Sequence, residues 1–128
     1  RKENPFVAAE DALRQVSKND FNEVRSYAKP PLACLATLEA VGVLVDPSKT
    51  TWEWADDKQL LAGGPTEFLK KLTSVDKDHL TKEQLIRLES ILDRDDCQPD
   101  ALARISPFFT HLSQWLRAVH AYASTRQE

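Results

Sequence analysis

Apolar positions recur at helical spacing along most of this chain, and proline and glycine set the breaks between the runs. Near the start, Phe6, Ala9, Leu13 and Val16 follow a 3, 4, 3 spacing, the a/d pattern of a coiled coil. The next apolar residues, Phe21 and Val24, fall one residue late for that heptad, so the register breaks near Lys18 to Asp20. A coiled-coil seam with a fault and an ordinary amphipathic helix with a wandering stripe both fit this pattern. One helix is predicted from Pro5 to Ala28, with Asn4 as N-cap and Pro5 at the first helical position, where its missing N–H is harmless. Pro30 and Pro31 end it, because proline fixes its own φ and pushes the preceding residue, Lys29, out of α geometry.

Beyond the prolines, Leu32 to Val45 carries Glu39 as its one charge and reads as a buried helix. Asp46-Pro-Ser-Lys is a turn, and Thr51 is placed to cap a helix through Trp52 to Leu61. Gly63-Gly64-Pro65 stops it. Thr66 to Thr73 then puts Phe68, Leu69 and Leu72 on one face and Lys70 and Lys71 on the other. Thr81 and Gln84 form a capping box, with Leu80 and Leu85 as its hydrophobic staple. Pro99 opens a single turn through Arg104, and Ser106-Pro107 starts the last helix. There Phe108, Leu112, Trp115, Val119 and Tyr122 make a 4, 3, 4, 3 seam. The last helix is the natural partner of the first. The expected fold is all-α, a head of a small bundle of about six helices on a two-helix antiparallel coiled-coil stem. Residues 1–29 form one stem strand, 30–110 the head, and 111–128 the end of the last head helix with the second strand.

Composition narrows the function. With 128 residues and 41% hydrophobic content, the chain can bury one modest core, and a net charge of −3 argues against DNA or an acidic membrane as partner. Cys34 and Cys97 are expected as reduced thiols of an intracellular protein rather than a disulfide. The start at Arg1 and the polar end suggest an excised piece.

Candidate chemistry is sparse. Gly63-Gly64-Pro65 lacks the Lys-Ser/Thr of a phosphate loop, and Asp76-Lys-Asp78 lacks the glycine and terminal glutamate of a calcium loop, Thr81 and Arg87 standing in those places. His79, His111 and His120 have no zinc spacing with one another or with a cysteine. No nucleophile or acid/base pair is legible and no cofactor is implied, so binding is the expected role.

The ordered set Arg25 to Pro31, Leu38 to Val41, Thr51-Trp52, Phe68 to Leu72, Asp76 to Asp78, Gln98 to Asp100, Arg104 to Ser106 and Gln114 to Tyr122 resembles the stalk tip of dynein heavy chains. Its Trp-Leu-Arg-Ala-Val-His-x-Tyr ending resembles axonemal more than cytoplasmic members. The resemblance implies a monomeric microtubule-binding head on an antiparallel coiled coil, whose partner is the α/β-tubulin dimer, in the cytoskeleton of a ciliary or flagellar axoneme or alternatively in the cytoplasm. It implies neither nucleic acid nor membrane as partner, and places the ATPase ring on other sequence. It assigns tubulin contact to Lys70, Lys71, Asp100 and Arg104, and to the first head helix with Leu35 and Glu39. Leu35 stands where cytoplasmic members carry a lysine, which implies a different charge balance. Leu13, Val16, Trp115, Val119 and Tyr122 become seam positions, and Pro30 and Pro31 the joint between stem and head.

Affinity in this family is controlled by sliding of the stalk helices. The fault in the first strand offers two registers, with the prolines relaying a shift to the Leu32 to Val45 helix. The alternative function is a helical adaptor that binds partner helices in an apolar groove. In that case Lys70 and Lys71 merely solvate a helix face.

Overall fold

The computed structural model describes residues 6–126. Its helices are α1 (Val7–Arg14), α2 (Lys18–Arg25), α3 (Leu32–Val45), α4 (Trp54–Leu61), α5 (Gly64–Thr73), α6 (Lys82–Leu92), α7 (Pro99–Ala103) and α8 (Pro107–Arg126), with a 3-10 turn at Asp95–Cys97. No strand occurs among the described residues, and the fold is all-α. No described helix is long and apolar enough to cross a membrane. Asn4 and Pro5, expected to open the first helix, lie outside the described residues.

The single helix expected over 5–28 is two helices. The first helix ends at Arg14 with Gln15 as its C-cap, and Ser17 is extended (φ −66°, ψ 149°) with its Oγ accepting the Asp20 N–H at 3.0 Å. A serine that satisfies an orphan N–H is a helix start, and it restarts the helix here. The interruption absorbs the one-residue lag of the apolar stripe. Phe21 and Val24 therefore reach the same core as Leu13, at 1%, 0% and 8% exposure. The helix also ends earlier than expected, at Arg25.

Other boundaries moved for local reasons. At α4 the N-cap is Glu53 rather than Thr51, because the Asp56 carboxylate accepts the Glu53 N–H at 2.9 Å. At α5, Gly63 and Gly64 take φ of 92° and 89°, which turns the chain early and starts the helix at Gly64 rather than Thr66. The α6 capping box closes both ways, Gln84 N–H to Thr81 Oγ1 at 3.1 Å and Thr81 N–H to Gln84 Oε1 at 2.8 Å. Leu80 and Leu85 are buried beside it.

Helix α3 is the centre of the head. Ten of its fourteen residues are buried, which its lack of charge requires. It packs on α4, α6, α8 and the 3-10 turn. Phe21, Phe68, Phe108 and Phe109 form an aromatic cluster with centroids 5.1–5.9 Å apart, joining α2, α5 and α8. α1 runs antiparallel to α8: Phe6 meets the Tyr122 ring edge-on at 5.0 Å, and Glu10 accepts from Trp115. α1 also packs on α5, so this strand is docked on the head rather than paired with α8 alone.

Gly42 of α3 lies under the Trp52 ring, and a Cβ there would come within 2.3 Å of Trp52 Cζ2. A glycine-to-alanine exchange inside a helix ordinarily gains about 1 kcal/mol. Here the indole has to leave its seat, so Gly42→Ala is expected to lose about 1–3 kcal/mol instead. Urea denaturation of Gly42→Ala, Trp52→Val and the double variant checks this. The double variant should recover part of the loss, and losses that simply add would acquit the ring.

Candidate functional site

Of the two expectations for α3, burial and a binding surface, the helix shows the burial. Its 3, 4 spacing leaves one outward stripe, Leu32 at 70% exposure, then Leu35 and Glu39 half-buried. Pro31 sets where the stripe begins, as N-cap residue whose carbonyl accepts the Cys34 N–H at 3.0 Å. The preceding segment is pinned to the head by Trp54, whose Nε1–H donates to the Tyr27 carbonyl at 3.0 Å.

Behind the stripe stands Asp57 of α4, 1% exposed, with neither carboxylate oxygen hydrogen-bonded among the described residues. Burial, and then the charges of Glu39 and Asp56, push this carboxyl up to about 7. Asp56 beside it is held below the ordinary carboxylate value by the Glu53 N–H and by Lys49, whose ammonium lies 3.1 Å away. Nothing in the residues Trp54-Ala-Asp-Asp distinguishes the two aspartates. Only the rotation of α4 against α3 does.

Asp100 and Arg104 are both exposed, one turn apart on and just after α7. Asp100 accepts the Ala101 N–H, and no ion pair joins it to Arg104 among the described residues. Helix α7 is too short to hold itself. Arg117 of α8 positions the segment before it by donating to the Leu92 and Cys97 carbonyls at 3.0 and 3.1 Å. Cys97 in turn sits 3.9 Å from Ala33 O and Thr37 Oγ1, at the N-terminal end of α3. Both cysteines are buried free thiols. Burial pushes Cys34 up to about 12, which leaves it inert as a nucleophile.

The two lysines do not behave alike. Lys70 is exposed and lies 3.4 Å from Glu67 on its own helix. Lys71 turns inward and donates to the Gln59 and Leu60 carbonyls at 3.2 and 2.9 Å, closing the C-terminus of α4. Lys71 is a structural cap as well as a surface cation. A groove of about 470 Å³ runs between the lysines and Leu44, Val45 and Ser74, at the C-terminal end of α3. The sites assigned from the resemblance thus spread along α3. Leu35 and Glu39 share its stripe, Asp100 and Arg104 lie toward its first turn, and the lysines toward its last. At 14 residues that helix is about 20 Å long, so the assigned residues form no single cluster.

Among the seam residues, Leu13, Trp115 and Val119 are buried, while Val16 is half-buried in the interruption between α1 and α2. Sequence reasoning missed Glu10 and Lys77, which meet at 3.9 Å while only 14% and 12% exposed. A charged residue on an amphipathic helix gives no sign that its neighbour will arrive from a loop.

Residues 1–124 match the family described as the microtubule-binding stalk of dynein motor. The chain is 33% identical over 122 residues to mouse dynein axonemal heavy chain 1, covering 87% of the chain. It is 32% identical over 123 residues to human dynein axonemal heavy chain 2, covering 94%. A heavy chain-like protein of Plasmodium falciparum is 25% identical over 120 residues, covering 91% of the chain and 2% of that relative. The chain spans about 3% of the length of the mouse and human relatives.

Proposed function

The chain belongs to the dynein microtubule-binding stalk family, and we propose that it binds the tubulin surface of an axonemal microtubule as the tip of a motor's stalk. The family match over residues 1–124 carries the reading, and the axonemal heavy chain relatives support the location. It acts as a monomeric binding head, with no catalysis of its own and neither nucleic acid nor membrane as partner. Three features meet tubulin: the α3 stripe with Leu35 and Glu39, the exposed side of α5 with Lys70, and α7 with Asp100 and Arg104. Because Lys71 is tied to α4 carbonyls, Lys70 and Arg104 are the more available of the three assigned cations. Affinity varies with the alignment of α1 and α2 on α8, relayed through Pro30 and Pro31.

The test is co-sedimentation with microtubules at increasing ionic strength. Binding should weaken with salt, and Lys70→Glu and Arg104→Glu should each weaken it about fivefold, as expected for exposed charges worth about 1 kcal/mol. Binding that ignores both reversals and salt would remove the charged face from the reading. No binding at low salt would favour the adaptor alternative.

A further inference from the structure

The loop between α5 and α6 touches both stem strands through two adjacent side chains, Lys77 and Asp78. Lys77 reaches α1 and α8 together. Its ammonium lies 3.9 Å from Glu10 Oε2, over the Phe6 ring at 5.1 Å and over the Trp115 ring at 5.7 Å, and it donates to the Val75 carbonyl at 3.3 Å. The same Glu10 oxygen accepts the Trp115 Nε1–H at 3.3 Å. One carboxylate on α1 is therefore shared between a loop cation and an α8 indole. The next residue, Asp78, accepts the Tyr122 hydroxyl at 2.5 Å and lies 3.6 Å from Arg126 Nε, both on α8.

Such a set fixes alignment because it is only half wet. Lys77 and Glu10 are largely removed from water, so sliding α1 by one turn would separate a buried charge from its partner. Apolar packing alone tolerates slippage between similar residues, whereas a buried ion pair and a directed N–H do not. The other end of this loop lines the lysine groove: Val75 and Asp76 border it with Lys70 and Lys71. Three residues join the proposed tubulin-facing end of α5 to the contacts that align the stem.

We propose that the α5–α6 loop is a latch, in which Lys77 and Asp78 hold α1 in one alignment on α8 and tie that alignment to the Lys70 side of α5. The link to microtubule affinity rests on the function proposed above; the latch itself does not.

The test pairs Lys77→Met with Asp78→Asn in one chain. Methionine keeps an apolar stem over Phe6 and Trp115, and asparagine keeps an acceptor for Tyr122, so the losses are the two charges and the Lys77 donation to the Val75 carbonyl. Lys82→Met with Glu83→Gln, on the exposed start of α6, is the charge-matched control. Amide hydrogen exchange should accelerate about tenfold in α1, the factor that about 1.4 kcal/mol represents, with α3 and α6 unchanged. Unchanged α1 exchange would overturn the latch, and so would uniform acceleration across α3 and α6, which marks general destabilisation. In co-sedimentation, the latch variant should shift microtubule affinity at least threefold from the Lys82→Met, Glu83→Gln control, roughly 0.7 kcal/mol. Lys70→Glu should weaken binding while α1 exchange stays as in the wild type. Faster α1 exchange with unaltered affinity would refute the tie to α5. If the wild type itself does not bind, the proposed function fails and the tie with it, while the exchange result still decides the latch.

Discussion

Asp57→Asn is expected to make the folded chain more stable at pH 8 and to leave it nearly unchanged at pH 4 and below. The direction follows from the raised carboxyl. In the unfolded chain Asp57 ionises near its ordinary value of 3.8, while in the fold burial and the neighbouring Glu39 and Asp56 hold it protonated up to about 7. Between those limits the folded state binds the extra proton, so stability falls as pH rises through about 7 and is fully present below about 4. A displacement of that size is on the order of 4 kcal/mol, a large part of what a domain of this length possesses. Asparagine cannot ionise and escapes the loss. Asp56 works in the opposite sense, since its lowered value adds stability that disappears only under acid conditions. Thermal melts of wild type and variant between pH 4 and 8.5 should diverge as pH rises to about 7 and keep that separation above it. Parallel curves over that range would show that Asp57 is hydrated in solution.

Phe21→Ala is expected to cost about 3–5 kcal/mol, against a change within about 0.5 kcal/mol for Arg25→Ala on the exposed side of the same helix. Phe21 is 1% exposed and packs between Phe68, tilted at 5.9 Å, and Phe108, edge-on at 5.5 Å. A phenylalanine on a freely projecting strand would matter far less. Urea denaturation midpoints measure the difference. A Phe21→Ala loss below about 1 kcal/mol would mean that α2 stands away from the head. The comparison bears on mechanism, because a strand anchored this firmly beside the Pro30-Pro31 joint moves only with the core around it.

Features encoded within a few residues were legible. The run Leu32 to Val45 is α3 to the residue, the Thr81 and Gln84 box is present, and Pro107 opens α8, because capping and proline geometry act over one turn. The fault in the first stripe was legible too, but its resolution was not. A one-residue lag fits a slipped register or a broken helix equally well, and Ser17 chose the break by capping α2 while Phe21 and Val24 were drawn into the core. For the candidate site, the resemblance supplied residue types and the fold supplied their states. Lys70 and Lys71 are neighbours with the same side chain, yet one faces solvent and the other closes a helix twelve residues upstream.

By itself, then, the sequence determined an all-helical chain, where most of its helices start and stop, which helix is buried, and which family it joins. Periodicity, caps and ordered motifs are local or collinear, and they survive being read along a line. Tertiary structure alone decided that Asp57 is buried against Glu39, that Lys71 caps α4, and that Lys77 bridges Glu10 and Trp115 across both strands. Each of those depends on the distance and dielectric between groups far apart in the chain, which no spacing in the sequence records.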